Sequence, residues 1–99
     1  MIKVSVIYPR TEGGHFDADY YCQKHMTMVK ACLGEACAGL SVLVAVDDKQ
    51  PYYAIGELIF ASATEMQTAF APHAKAFAAD LVNYTNVTPV TQMSVIHPC

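Results

Sequence analysis

Four segments of the chain have the pattern of β-strands and two have the pattern of helices. Residues 2–8 place apolar side chains at every second position, as a half-buried strand does. Further strands are predicted over residues 40–46, 52–60 and 88–96, and the polar turn 47–51 makes the middle two a hairpin. The order β-α-β-β-α-β predicts an α+β, ferredoxin-like fold, in which two helices cover one face of a four-stranded antiparallel sheet.

The first predicted helix has clear start and stop signals. Asp17 can accept hydrogen bonds from the free amides of a first turn, and Gly34 suits the position after a last turn. Phe16 and Tyr21 have the spacing of a hydrophobic staple around that start. We therefore predict a helix over residues 17–33.

The second helical region opens at Ser62, and Glu65 three residues later completes a capping box. The region is predicted to end near Val82. Pro72 lies inside it and should kink or restart the helix, because proline lacks the amide hydrogen that a helix interior needs.

The composition indicates which partners the domain can bind. The 99 residues make one domain, 1–99, in which 54% of residues are hydrophobic and only 15% are charged, against about 25% charged in an average soluble chain. A domain this small leaves apolar surface uncovered. We expect a homodimer in which a second sheet covers the free sheet face, and a monomer with a pocket is the alternative. The six lysines and arginines are scattered and the net charge is −3, so no nucleic-acid partner is expected.

Several motifs are absent from the sequence. No segment has the pattern of a signal peptide or the ~18 apolar residues of a membrane helix, so a cytoplasmic location without a membrane partner is expected. Free thiols are then expected at all four cysteines, which are Cys22, Cys32, Cys37 and Cys99. No metal or cofactor is predicted, because no CxxC pair, metal-triad spacing, GxGxxG, P-loop or GxSxG motif occurs.

One histidine lies where the first helix should be apolar. At about 100° per residue, His25 falls near the middle of an arc formed by Ala18, Tyr21, Cys22, Met26, Met28, Val29, Cys32 and Leu33. One interpretation is a core histidine whose ring bonds a backbone carbonyl or a tyrosine. The other is a pocket in which His25 is the catalytic acid or base, and Tyr8 and Tyr21 hold a substrate.

Two further polar residues have ambiguous orientations. Glu57, in the middle of the third strand, either faces the same interior, where as a substrate-binding residue it would orient or charge-balance His25, or faces away as an interface or surface carboxylate. His73 has helical spacing to Phe77, but Pro72 disturbs the phase of that segment, which favours a purely structural role.

The chain resembles the EthD family. The resemblance extends over nearly the whole chain and is carried by Tyr8-Pro9-Arg10, Phe16-Asp17-Ala18-Asp19-Tyr20-Tyr21, His25-Met26, Val29, Ala54-Ile55-Gly56-Glu57-Leu58, Phe60 and Asn83-Tyr84-Thr85. A Pro-Leu-Val-like run that many relatives have after the histidine is replaced here by residues 26–29.

This resemblance implies a dimeric α/β barrel formed by the sheets of two subunits. Proteins of that fold include cofactor-independent monooxygenases, muconolactone isomerases, polyketide cyclases and haem-degrading enzymes. It therefore implies a small homodimer that binds, and transforms by acid/base or monooxygenase-like chemistry, a small apolar carbonyl or phenolic compound in catabolism or secondary metabolism. The alternatives are a non-catalytic binding or stress-related dimer and, with less support, a haem protein in which His25 ligates the iron.

Overall fold

A computed structural model describes all 99 residues, and its sheet contains four strands. They are β1 (Ile2–Pro9), β2 (Gly39–Val44), β3 (Tyr52–Phe60) and β4 (Val90–Val95). Every neighbouring pair is antiparallel and the spatial order is β2-β3-β1-β4. The predicted ferredoxin-like fold is confirmed, although β2 and β4 are each shorter than predicted.

The first helix, α1, begins and ends where its capping residues predict. It contains an α-helical segment Ala18–Tyr20, a π-helical turn Tyr21–His25 and a second α-helical segment Met26–Leu33. The Asp17 carboxylate accepts a hydrogen bond of 3.0 Å from the amide of Tyr20. Gly34 ends the helix with a φ of 59°, a conformation that glycine adopts without steric cost.

The π-helical turn changes which side chains α1 buries. The amide of Met26 donates to the carbonyl of Tyr21, five residues back, so this turn holds one residue more than an α-helical turn. His25 and Met26 are both buried, together with Tyr21. Cys22 is exposed, although regular α-helical phasing predicted it on the apolar arc.

The second helix, α2, is interrupted around Pro72, as predicted from the sequence. It contains Ala63–Phe70, a 3₁₀ turn Ala71–His73, a segment Ala74–Ala79 and a final 3₁₀ turn Asp80–Asn83. Before its first residue, the hydroxyl of Ser62 accepts a hydrogen bond of 3.2 Å from the amide of Glu65.

Other properties follow from these elements. Neither helix has the length and hydropathy that a membrane-spanning segment requires. All four cysteines are unpaired, as predicted. Nowhere in the chain do three His, Cys, Asp or Glu side chains converge so that they could hold a metal ion.

The helices cover one face of the sheet, and the register determines which residues point toward them. On β3 the buried positions are Ala54, Gly56, Leu58 and Phe60. Gly56 is paired with Val6 of β1. Positions 55, 57 and 59 point to the opposite face, because successive side chains alternate across a strand.

Gly56 leaves room for a buried phenol. A Cβ at this position would collide with the hydroxyl oxygen of Tyr21 and would lie 3.3 Å from its Cζ. Tyr21 is only 1% exposed, and its ring is packed against Tyr8 and Phe16. A glycine normally weakens a strand interior, but here it allows α1 to approach the sheet.

We predict that Gly56→Ala lowers the free energy of unfolding by about 1–3 kcal/mol, the usual cost of overpacking a core. Tyr21→Phe removes the colliding oxygen, so the glycine substitution should cost less in that background. Urea unfolding of the wild type, both single variants and the double variant measures this coupling. Equal costs in the two backgrounds would show that the collision is not the cause.

Candidate active site

A cavity of about 400 Å³ lies between the two helices and the sheet. Its volume is within the range of small-molecule sites. Most of its wall is apolar, formed by Val6, Met26, Val29, Leu58, Phe70, Phe77 and Leu81. The few polar groups in it must therefore account for any specific chemistry.

Three of the four site residues predicted from the sequence line this cavity: Tyr8, Tyr21 and His25. His25 is 6% exposed. Its ring stacks on Tyr21, with centroids 5.4 Å apart and an interplanar angle of 15°. Tyr8 meets Tyr21 edge-on, with centroids 5.2 Å apart. The first strand and the first helix thus bring two phenols and an imidazole into one aromatic cluster.

The fourth, Glu57, does not line the cavity, so its prediction as a substrate-binding residue of this site is wrong. Since Gly56 faces the helices, Glu57 must face the other way. It accepts hydrogen bonds from the Lys3 ammonium at 3.4 Å and the Ser41 hydroxyl at 3.2 Å. The alternative, a carboxylate on the opposite sheet face, is the correct one.

His73 also does not line the cavity. It is half-buried, and its ring stacks on Phe77 with centroids 5.9 Å apart. The short 3₁₀ turn around Pro72 rotates it away from His25, so only one histidine faces the cavity.

The partner of His25 is Asp80, which the sequence analysis missed. The Nδ1 atom of His25 lies 2.9 Å from Oδ2 of Asp80. The other carboxylate oxygen, Oδ1, accepts hydrogen bonds from the Tyr20 hydroxyl at 2.7 Å and the Asn83 amide at 2.8 Å. Asp80 is therefore held at both oxygens and links α1 to the end of α2.

The electrostatics of Asp80 determine which nitrogen of His25 carries a proton. Desolvation raises the pKa of Asp80, but hydrogen bonds from Asn83, Tyr20 and His25 outweigh that effect and hold the pKa below its ordinary value. An ionised carboxylate can only accept, so Nδ1 of His25 must donate to it. In the neutral ring, Nε2 then carries the lone pair.

The Nε2 atom of His25 is not engaged by the protein. No protein group forms a hydrogen bond with it, and no buried side-chain nitrogen or oxygen in the chain lacks a partner. Nε2 is therefore accessible, and His25 lines the cavity. This arrangement, with one nitrogen fixed by a carboxylate and the other free, suits a general base.

A second residue that the sequence analysis did not propose for the site is Tyr84. Its hydroxyl lies 2.8 Å from that of Tyr8, and its ring centroid lies 4.8 Å from that of His25. Burial raises the pKa of Tyr8, Tyr21 and Tyr84. All three phenols are consequently neutral hydrogen-bonding groups at neutral pH.

The sequence contains a signal that could have identified both Asp80 and Tyr84, namely their spacing from Phe77. Asp80 and Tyr84 follow Phe77 by three and seven residues, which places them on one helical face. Asp80 is thus the single charged residue of an otherwise apolar stripe, as His25 is the single strongly polar residue of its own.

We predict that Asp80→Asn lowers the free energy of unfolding at pH 7 by about 1–2 kcal/mol, since it weakens a charge-assisted hydrogen bond. The folded-state pKa of Asp80 lies below the unfolded value of about 3.8. Its ionisation therefore stabilises the fold above pH 3.8, and this stabilisation is lost as the pH falls through the folded pKa.

Urea unfolding from pH 7 to pH 2.5 measures this effect. The difference between wild type and Asp80→Asn should shrink below pH 3.8. Asp48→Asn, at an exposed turn position, is the matched control and should show no such trend. A difference that stays constant across the range would contradict the assignment.

The matches of this chain to known proteins are all to solved structures. No protein-family model and no curated protein matches it. An EthD-like protein from Ralstonia eutropha JMP134 is 43% identical, with 94% of this chain and 88% of that chain covered and a TM-score of 0.82. An EthD family protein from Bacillus halodurans C-125 is 15% identical over 98% of this chain and 99% of that one, with a TM-score of 0.76. A dimeric protein of ferredoxin-like fold from Bacteroides fragilis NCTC 9343 is 10% identical over 96% and 95%, with a TM-score of 0.53.

At 43% identity over 94% of this chain, the first of these structures is similar enough to show the family, and its TM-score of 0.82 shows that the fold is the same. The chain belongs to the EthD family.

Proposed function

We propose that the protein is a small cytoplasmic homodimer that catalyses proton transfer on a small apolar carbonyl or phenolic compound, without a cofactor. The observation that carries this proposal is the arrangement of His25, which lines an apolar cavity and has its Nδ1 fixed by Asp80, while its Nε2 has no protein partner. A histidine that serves only the core usually has its polar atoms bonded to protein groups or to ordered water.

The chemistry follows from the groups around Nε2. The Nε2 lone pair of His25 accepts a proton from a C–H next to a carbonyl, or from a phenol O–H, and later returns it. The Asp80 carboxylate stabilises the imidazolium that forms in between. The electron pair left on the substrate moves to its oxygen, where the hydroxyls of Tyr8, Tyr21 and Tyr84 are the available hydrogen-bond donors.

The homodimer is supported by the sheet face opposite the helices. Ile7, Ile55, Leu43 and Val90 form one row across all four strands on this face. Leu43 is 50% exposed and Val90 is 56% exposed. Such a contiguous apolar row on a small domain favours burial against a second sheet, and a neighbour of the same fold is dimeric.

We predict that His25→Gln abolishes proton exchange. The wild type should accelerate exchange of the α-hydrogens of a neutral cyclic ketone, 1-tetralone, with D₂O above the rate in buffer. His25→Gln should reduce this acceleration by about 10²–10⁴-fold, the usual contribution of a general base. Proton NMR of the ketone measures the rate, and circular dichroism checks that the variant is folded.

His97→Gln is the matched control, because His97 is exposed near the end of the chain, and it should keep the full rate. Exchange at the wild-type rate in His25→Gln would contradict the role of His25. Wild-type protein that binds the ketone without accelerating exchange would favour the alternative, a non-catalytic binding protein.

We also predict that Ile55→Lys converts a dimer into a monomer, because it places a charge in the apolar row. Sedimentation equilibrium should give the mass of two chains for the wild type and of one chain for the variant. Ala31→Lys, on the exposed side of α1, should remain dimeric. A dimeric Ile55→Lys variant would show that the interface lies elsewhere.

A further inference from the structure

We infer that the cavity selects an uncharged, flat aromatic compound that carries two functions, a carbonyl oxygen for the phenols and a hydroxyl or acidic C–H for His25. The inference rests on the proposed function in that it concerns the same cavity. It addresses which molecules bind there, whereas the proposed function addresses what happens to them.

The absence of a cation from the cavity wall argues for an uncharged ligand. None of the six lysines and arginines lines the cavity. The only cation that could form there is protonated His25, which Asp80 already neutralises at 2.9 Å. A carboxylate or phosphate on the ligand would be buried without a counter-charge, which is strongly unfavourable in an apolar environment.

The hydrogen-bonding capacity of the phenols argues for a carbonyl. The hydroxyls of Tyr8 and Tyr84 lie 2.8 Å apart, so one of them donates to the other, and the hydroxyl of Tyr21 has no hydrogen-bond partner in the protein. One hydrogen bond among three hydroxyls uses only one of their three protons. At least one O–H is therefore left to donate to the ligand, which must supply an acceptor.

The tautomer of His25 argues for the second function. With Nδ1 donating to Asp80, the neutral ring presents only an acceptor at Nε2. The ligand group that meets it must therefore carry a hydrogen. A ketone without such a hydrogen, or a phenol without a carbonyl, satisfies only half of the site.

The aromatic rings that line the cavity favour a ligand with an aromatic ring system. Phe70 and Phe77 meet edge-on at 5.2 Å, and Tyr21 and Tyr84 lie 5.1 Å apart on the side of His25. All four rings line the cavity. Aromatic side chains in such arrangements favour a flat ring between or against them.

The test compares four bicyclic probes by isothermal titration calorimetry at pH 7. They are 7-hydroxy-1-tetralone, which has both functions, 1-naphthaldehyde, which has a carbonyl but no acidic C–H or hydroxyl, 2-naphthol, which has the hydroxyl, and 1-naphthoate, which is an anion of similar shape. We expect the hydroxytetralone to bind most tightly, each single-function probe to bind at least 5-fold more weakly, and 1-naphthoate at least 10-fold more weakly.

Tyrosine variants connect this order to the phenols. Tyr21→Phe or Tyr84→Phe should weaken 1-naphthaldehyde binding at least 5-fold, since one of them supplies the free O–H, and should leave 2-naphthol within 2-fold. Tyr52→Phe is the matched control, because Tyr52 is 44% exposed and lies outside the cavity. It should change neither affinity.

The outcomes separate this inference from the proposed function. Binding of 1-naphthoate as tight as that of the hydroxytetralone, no binding of any probe, or no effect of either tyrosine variant would overturn the inference. Binding in the expected order without proton exchange would support the inference and overturn the catalytic proposal. Proton exchange by a protein that binds 1-naphthoate most tightly would support the catalytic proposal and overturn the inference.

Discussion

The hydrogen bond between His25 and Asp80 is the contact on which the site depends. It joins the middle of α1 to the end of α2, which are separated by 55 residues in sequence, and it does so where the sheet leaves a space below both helices. One carboxylate oxygen fixes the imidazole, and the other is held by Tyr20 and Asn83. The position of the histidine is thus set by three side chains, Asp80 directly and Tyr20 and Asn83 through it.

The fold itself could be predicted from local signals. Asp17, Gly34 and Ser62 bound the helices because each can satisfy or end a helix terminus by itself, whatever lies around it. The ambiguity at Glu57 has a physical cause. Both faces of β3 carry large apolar side chains, Leu58 on one and Ile59 on the other, so alternation alone cannot tell which face meets the helices. Only the fit of Tyr21 over Gly56 decides it.

Asp80 was missed for a different reason. Its role depends on how two helices pack, and the break at Pro72 removes the regular phase from which that packing could be predicted. His25 could be found because it lies on an apolar arc that is still recognisable despite the π-helical turn. Tyr84 lies beyond the predicted end of α2, and its contact with Tyr8 joins residues that are 76 positions apart.

The five-residue turn at Tyr21–His25 has a consequence for how this chain can change in length. Each residue in a helix rotates the next by about 100°, so losing one residue from this turn would restore regular geometry and swing the segment before it by that angle. Tyr21 would leave the space above Gly56, or His25 would leave the cavity. Descendants of this sequence must therefore conserve the number of residues between this tyrosine and this histidine.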